Sequence, residues 1–336
     1  MKLTLLSAND LRQALPMPAA IAAMKSAFAE LSTGQAAVPL RAALPVPPAD
    51  PAEPGASGGV SLFMPAYLPK GGLGSLGVKI VSVFPRNARQ GKPMIHGIVV
   101  VLDPSTGEPL ALCDGTFLTA WRTGAASGAA TDLLARPDAQ TAALLGCGAQ
   151  ARTQALAIDE ARRLNFIKVY APHPDHVQAF IAEMQPQLSA RLSAASSPDE
   201  AVRDADVICA ATTSSTPVFD GNLLKPGAHV NGVGSYTLQM QEVDAMTVAR
   251  ACLFVDSRAS ALAEAGDLVI PMSEGKTRAE DWTELGEVAA GLKPGRQSPD
   301  EITFFKSVGV AVQDVAAAGQ ALAEAQRQGL GQTVDF

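Results

Sequence analysis

Two groups of residues in this 336-residue chain have the types and spacing to do chemistry. The first is the run ALLGCGAQARTQ at 143–154, where Gly146, Gly148 and Ala151 stand at G-x-G-x-x-A spacing. An apolar strand-like stretch precedes them and residues of helix-forming type follow. In that setting Gly146 allows a tight turn, Gly148 lets the backbone approach a pyrophosphate, and Ala151 lets the helix pack close, with the helix's free N–H groups facing the phosphates. The spacing alone also suits a turn that binds nothing, and the strand–turn–helix context is what favours a dinucleotide. The second group is cationic. Lys79 lies inside a β-type run beside Gly77, Val78, Ile80 and Val81, where a charge needs a partner or a ligand. Arg122 sits among small residues in DGTFLTAWRTGAASGAA, and Arg41 in VPLRAAL. These suggest a substrate site, although a lysine at a sheet edge and a surface arginine would also fit.

A second cofactor determinant belongs at the end of the next strand, where a carboxylate would bind both ribose hydroxyls of NAD. KVYAPHPDH places Ala171, Pro172 and His173 there, with Asp175 four residues beyond Ala171. Loss of the acid removes repulsion against a 2′-phosphate, and Arg152 and His173 stand within plausible reach of one. NADPH is therefore the expected cofactor, with NADH possible.

The elements needed to position these groups can be read coarsely. Residues 1–118 hold a short strand, a helix near 17–32, a Pro/Gly/Ala-rich stretch (VPLRAALPVPPADPAEPGASGG) too broken for regular structure, and then strand-like runs. GIVVVLDPSTGEPLALCD reads as a hairpin closed by Pro-Ser-Thr-Gly. From 119 to 305 helices alternate with short buried strands such as TAALLG, FIKVYA, DVICAAT, HVNGVG and CLFVDS, the pattern of a parallel sheet covered on both faces. The tail FKSVGVAVQDVAAAGQALAEAQRQG reads as one long amphipathic helix returning to the first region. The expected fold is α/β: a Rossmann-type doubly wound domain at 119–305 and a discontinuous mixed domain at 1–118 and 306–336 for substrate binding and dimerisation.

Composition narrows the partners. With 47% apolar and 18% charged residues the chain should bury a large core, and at this length two domains are the default. A net charge of −7 without a basic run argues against nucleic acid or an anionic membrane. Cys113, Cys147, Cys209 and Cys252 are widely separated in apolar contexts, as expected of buried free thiols in a reducing cytoplasm, and no metal site is expected.

The run VKIVSVFPRN…GKPMIHGIVVVLDPSTGEPLALCDGTFLTAWRTGAASGAATDLLAR, followed by LLGCGAQA, TTSSTPVF, GAHVNGVGSYTLQMQEVD, EAGD and FKSVGVAVQD, resembles the ornithine cyclodeaminase and mu-crystallin family. The resemblance extends from about residue 38 to 320. It implies a homodimer formed through the discontinuous domain, NAD(H) or NADP(H) in the Rossmann domain, and carboxylate-binding cations at Arg41, Lys79 and Arg122, with Lys79 and Arg122 as the catalytic pair. A guanidinium forks onto a carboxylate and an ammonium adds a point charge, so the set makes chemical sense. Thr119, Gly146, Gly148, Ala149, Gln150, Ala151, Arg152, Ala171, His173, Thr212, Val233, Gly234 and Ser235 are the expected cofactor residues, and Tyr236 is an expected substrate residue.

Two departures narrow the chemistry. Where ornithine cyclodeaminases carry a glutamate and an aspartate, this chain has Leu62 and Tyr236. Removing ammonia and closing a ring need carboxylates to move protons, so cyclodeaminase activity is disfavoured, and alanine dehydrogenase activity with it. Reduction of a preformed cyclic ketimine, Δ1-pyrroline-2-carboxylate or Δ1-piperideine-2-carboxylate, needs chiefly positioning. Tyr236, Ser235 and Thr119 are candidates to touch the ring nitrogen, and all three also suit a supporting role at strand or helix ends. A hydroxyproline dehydratase and a mu-crystallin-like binder of NADPH and a small ligand remain as alternatives.

Overall fold

The computed structural model describes residues 2–48, 58–70 and 74–336. In chain order the elements begin with β1 (Lys2–Leu6), α1 (Ala8–Ala14), α2 (Met17–Ser32), β2 (Ala42–Val46), β3 (Gly59–Tyr67), β4 (Leu76–Val83), β5 (Ile95–Leu102), β6 (Pro109–Asp114) and α3 (Gly115–Leu134). They continue with β7 (Thr141–Leu145), α4 (Ala149–Arg162), β8 (Phe166–Tyr170), α5 (Pro174–Met184), β9 (Arg191–Ala194), α6 (Pro198–Val202), β10 (Val207–Ala210) and β11 (His229–Gly232). The last are α7 (Ala245–Arg250), β12 (Ala251–Val255), α8 (Arg258–Glu264), α9 (Gly266–Ser273), β13 (Thr283–Glu284), α10 (Leu285–Ala289), β14 (Ile302–Lys306), α11 (Ala311–Gln328) and β15 (Gln332–Asp335).

The chain divides into two units, one of Met1–Pro16, Gly34–Arg122 and Val310–Phe336 and the other of Met17–Thr33 and Thr123–Gly309. In the first, seven strands run in the order β15-β1-β6-β5-β4-β3-β2, antiparallel throughout except for β1 beside β6. Side chains alternate between its faces. The row Met64–Lys79–Val99–Cys113 crosses four strands in register, and all four residues are buried. The amphipathic helix α11 packs on β3, β4 and β5. On the opposite face Phe63, Ile80 and Ile98 stand in register, with Phe63 37% and Ile98 44% exposed.

Part of the Pro-rich stretch departs from expectation: Ala42–Val46 is strand β2, because pairing with β3 supplies the hydrogen bonds that its local sequence does not suggest. Residues 49–57 of that stretch lie outside the described residues. The expected tail helix starts only at Ala311, since Phe305 and Lys306 end the buried strand β14.

In the second unit, eight strands form a wholly parallel sheet in the order β13-β12-β14-β11-β10-β7-β8-β9. The chain runs outward from β7 to β9, then returns to place β10 on the other side of β7. This reversal is the crevice where doubly wound sheets bind ligands. Helix α2 belongs to this unit rather than to a single stretch 1–118, because its apolar side, including Met24 and Phe28, packs with α10 and α4. Cys113 and Cys209 are buried, as expected, but Cys147 is half-buried and Cys252 exposed, near the start of an outer strand. Among the described residues no helix is long and apolar enough to cross a membrane, and no group of three or more His, Cys, Asp or Glu is arranged to hold a metal ion.

Candidate active site: a cation cluster and a dinucleotide turn

In the first unit Lys79 projects from the centre of β4, not from a sheet edge, and is 1% exposed. Arg122, two turns into α3, is buried as well. Both reach one carboxylate on the first turn of α11: Lys79 Nζ lies 2.7 Å from Asp314 Oδ2, and Arg122 Nε donates to Asp314 Oδ1 at 2.9 Å. Arg122 Nη1 also donates to Gln313 Oε1 at 2.7 Å, and the same oxygen accepts the Val310 N–H at 2.8 Å. The guanidinium is thus clamped along one side by α11, leaving Nη2 unengaged by that helix. Arg41, just ahead of β2, is close enough to repel the Lys79 charge. Burial first, then the Arg122 charge, lower the Lys79 ammonium to about 7, against the pull of Asp314 and with a further push from Arg41. Two buried cations sharing one carboxylate make a pocket that favours an anion. Thr119 lies one turn before Arg122 on α3 and is half-buried. Leu62 on β3 is half-buried, so no carboxylate stands at that position.

In the second unit the glycine turn follows β7. Gly146 has φ +110°, a conformation that favours glycine, and a Cβ there would come within 2.5 Å of the Ala211 carbonyl oxygen at the end of β10. Gly148 is the N-cap of α4, with no side-chain cap, and a Cβ on it would meet nothing within 4 Å. Open space over Gly148, the uncapped N–H groups of α4 at Ala149, Gln150 and Ala151, and the buried methyl of Ala151 together fit a pyrophosphate.

Arg152 makes contacts within the chain that its place in the sequence does not suggest. It forks onto Glu183 and donates to the carbonyls of Cys147 and Gly148 at 2.9 and 3.0 Å, so it braces the turn itself. Beyond β8 no carboxylate occupies the strand end. Ala171 is half-buried, and His173, exposed, caps α5 with its ring 5.2 Å from that of His176.

The ends of β10 and β11 are tied together by Glu242, which accepts N–H bonds from Thr212 at 2.5 Å, Gly234 at 2.6 Å and Ser235 at 2.9 Å. Burial raises the Glu242 carboxyl, while Lys306 works in the other direction. The Ser235 hydroxyl donates to Asp267 Oδ2 and accepts from Lys306 Nζ at 2.9 Å, so its one proton is committed inside the protein and it is fully buried. Val233 is buried, whereas Tyr236 is 44% exposed.

Sequence reading singled out neither Gln313 nor Asp314, nor the Glu242–Asp267–Lys306 set. Their motifs, QEVD, EAGD and FKSVGVAVQD, were quoted for the family resemblance, and an acidic residue placed in an apolar amphipathic helix was the available signal at Asp314.

The glycine turn at a strand-order reversal and the clustered cations define a Rossmann-type, dinucleotide-binding protein with a separate anion pocket. The model of the ornithine cyclodeaminase/mu-crystallin family matches residues 1–328, and the chain belongs to that family. A Delta(1)-pyrroline-2-carboxylate reductase of Bacillus cereus is 39% identical over 98% of this chain and 99% of its own. Among solved structures, the Thermococcus litoralis Delta(1)-pyrroline-2-carboxylate reductase, in complex with NADH and L-proline, is 40% identical, with a TM-score of 0.90 over 98% of this chain and 100% of its own. An archaeal alanine dehydrogenase dimer with bound NAD is 31% identical, with a TM-score of 0.88 and full coverage of both chains.

Proposed function

We propose that this protein is an NAD(P)H-dependent reductase of a cyclic imino acid, converting Δ1-pyrroline-2-carboxylate or Δ1-piperideine-2-carboxylate to L-proline or L-pipecolate. The observation that carries the reading is the buried pair Lys79 and Arg122 on the shared Asp314, with half-buried Arg41 close enough to act on the Lys79 charge. It suits a carboxylate held in a partly desolvated pocket, where charge-assisted bonds are strong and directional. The absence of carboxylates at Leu62 and Tyr236 separates this site from one that must shuttle protons between amines. Two relatives that share nearly the whole length of the chain are reductases of this imine class, one of them solved with NADH and L-proline.

The chain's residues act chiefly by positioning. Arg122, clamped by Gln313 and Asp314, forks onto the substrate carboxylate, and Lys79 adds a second charge to it. A nicotinamide dinucleotide, when bound at the turn of Gly146 and Gly148, supplies the hydride. NADPH is favoured, because the end of β8 presents Ala171 and His173 in place of a carboxylate. A homodimer is proposed on the uncovered apolar sheet face of the first unit, where Phe63 and Ile98 are exposed, and on the family's archaeal dimer. A reducing, cytoplasmic setting suits the exposed thiol of Cys252.

The test is oxidation of NADPH and NADH with each imine, with pyruvate plus ammonia, and with each hydroxyproline isomer tried for imine formation. Rapid oxidation with a cyclic imine is the expected result. Imine formed from hydroxyproline without net cofactor change, or tight NADPH binding with no turnover, would overturn the assignment. Sedimentation at micromolar concentration should give a dimer.

A further inference from the structure

The cation cluster is out of balance, and only one of its members can adjust. Arg122 and Arg41 carry guanidiniums, which stay charged in proteins. Asp314 is a single carboxylate shared by Lys79 at 2.7 Å and Arg122 at 2.9 Å. Lys79 is buried beyond the reach of bulk water. The groups facing it are Asp314 from α11, Arg122 from α3 and Arg41 from the segment before β2. Its register neighbours on β3 and β5 are Met64 and Val99, which carry no charge. Beyond Val99, the Cys113 thiol is pushed by burial up to about 12 and stays neutral. With both protonated, Lys79 and Arg122 set two positive charges against the one carboxylate they share. Shedding the lysine proton is the only relief the cluster's own chemistry offers.

We propose that a carboxylate binding in this pocket brings a proton in with it, and that Lys79 is the group that receives that proton. The inference deepens the imine-reductase reading of the same site, but it needs only that the ligand be a carboxylate. A bound carboxylate does what Asp314 already does, which is to favour the ammonium. The balance is simple: a solvent acid gives up H⁺, the neutral Nζ amine becomes –NH₃⁺, and the new ammonium pairs with the incoming anion. The lowering of Lys79 to about 7 puts this exchange near neutrality. Below that range the lysine is charged in the empty pocket, so no proton is taken up and affinity is flat. Above it, uptake approaches about one proton per ligand, and affinity falls by up to about tenfold per pH unit.

The experiment is calorimetric titration of the full chain with pyrrole-2-carboxylate, a stable planar ring carboxylate, with and without saturating oxidised nicotinamide dinucleotide. Two buffers of different ionisation enthalpy are used at about pH 6 and again at about pH 8.5, because the difference in heat between buffers counts the protons taken up. The expected result is negligible uptake at the lower pH and more than about half a proton at the higher. Lys79→Arg, which keeps a permanent charge and avoids the folding risk of an apolar replacement, should bind with no uptake and with affinity flat in pH. Wild-type binding without uptake at the higher pH overturns the proposal. So does uptake unchanged in Lys79→Arg, or failure of millimolar pyrrole-2-carboxylate to bind at all. If uptake is present but neither cyclic imine is reduced, the proposed activity fails while the proton-coupled pocket stands.

Discussion

Lys79 and Lys306 are both strand lysines buried in an apolar sheet, and each reaches an aspartate, at 2.7 Å and 2.8 Å respectively. Their surroundings differ in a way that separates function from architecture. Lys306 directs its three donors to Asp267 Oδ2, the Ser235 carbonyl and the Ser235 hydroxyl, with the Glu242 carboxyl nearby. Its charge is matched and its hydrogen-bonding capacity is spent. Lys79 shares the Asp314 carboxylate with Arg122 and is repelled by Arg41 as well. A buried charge is therefore no sign of a ligand in itself. An excess of one sign, with donor capacity left over, is.

The largest effect should come from breaking the unbalanced side. Arg122→Met removes the proposed clamp on the substrate carboxylate and takes from Asp314 one of the two cations it pairs with among the described residues. The loss of transition-state stabilisation should be about 3–5 kcal/mol, or a fall of about 10²- to 10⁴-fold in kcat/KM for the imine. Affinity for the dinucleotide, read from quenching or enhancement of nicotinamide fluorescence, should hardly change, because the glycine turn is untouched. An unaltered kcat/KM in folded Arg122→Met would end the carboxylate-anchor reading.

Breaking the balanced side should move a different observable. Lys306→Met strands Asp267 as an unpaired buried carboxylate, and removal of one member of such a pair costs about 3–5 kcal/mol of stability. The urea midpoint should fall accordingly, while Asp267 still caps the N–H groups of Glu242 and Val243 at 2.6 and 3.0 Å. A variant of normal stability with its imine KM raised as in Arg122→Met would place Lys306 in the substrate site and erase the distinction drawn between the two lysines.

The distinction was only partly legible in the sequence. Lys79 stood out because a charge interrupts a β-type run, and the doubly wound half was readable from strand–helix alternation, which depends on local periodicity. What stayed hidden was pairing over long sequence distance. Asp314 lies 235 positions from Lys79 and 192 from Arg122, and no local pattern encodes that convergence. Strand β2 was hidden for the same reason, since its pairing with β3 supplies what its proline-broken sequence does not suggest. The ion pair of Arg152 was hidden because its partner Glu183 sits 31 residues away, on α5.

The glycine turn offers a finer contrast. Gly146→Ala forces a Cβ into a left-handed backbone and against the Ala211 carbonyl, so it should cost stability of about 1–3 kcal/mol. Gly148→Ala meets no protein atom within 4 Å and should leave the unfolding midpoint within about 0.5 kcal/mol of wild type. Its methyl would stand where the pyrophosphate approaches, so dinucleotide affinity should fall by roughly tenfold or more. Equal dinucleotide affinity in Gly148→Ala and wild type would count against the turn as the cradle.

The smallest expected change concerns which dinucleotide is preferred. With Arg152 committed to Glu183 and to the turn, the end of β8 discriminates mainly by what it lacks, a carboxylate, and by the exposed rings of His173 and His176. Absence of repulsion is a weaker determinant than a forked arginine, so the wild-type preference for NADPH should be modest. Ala171→Asp restores an acceptor for the ribose hydroxyls and repels a 2′-phosphate. The ratio of kcat/KM for NADPH over NADH should then fall by about tenfold, roughly 1.4 kcal/mol, with stability nearly unchanged because Ala171 is only half-buried. His173→Ala should lower the same ratio by less, and only by weakening NADPH. If wild type instead uses NADH tenfold better, or if Ala171→Asp leaves the ratio unmoved, the ribose end lies elsewhere than the end of β8, even with the pyrophosphate still at Gly148.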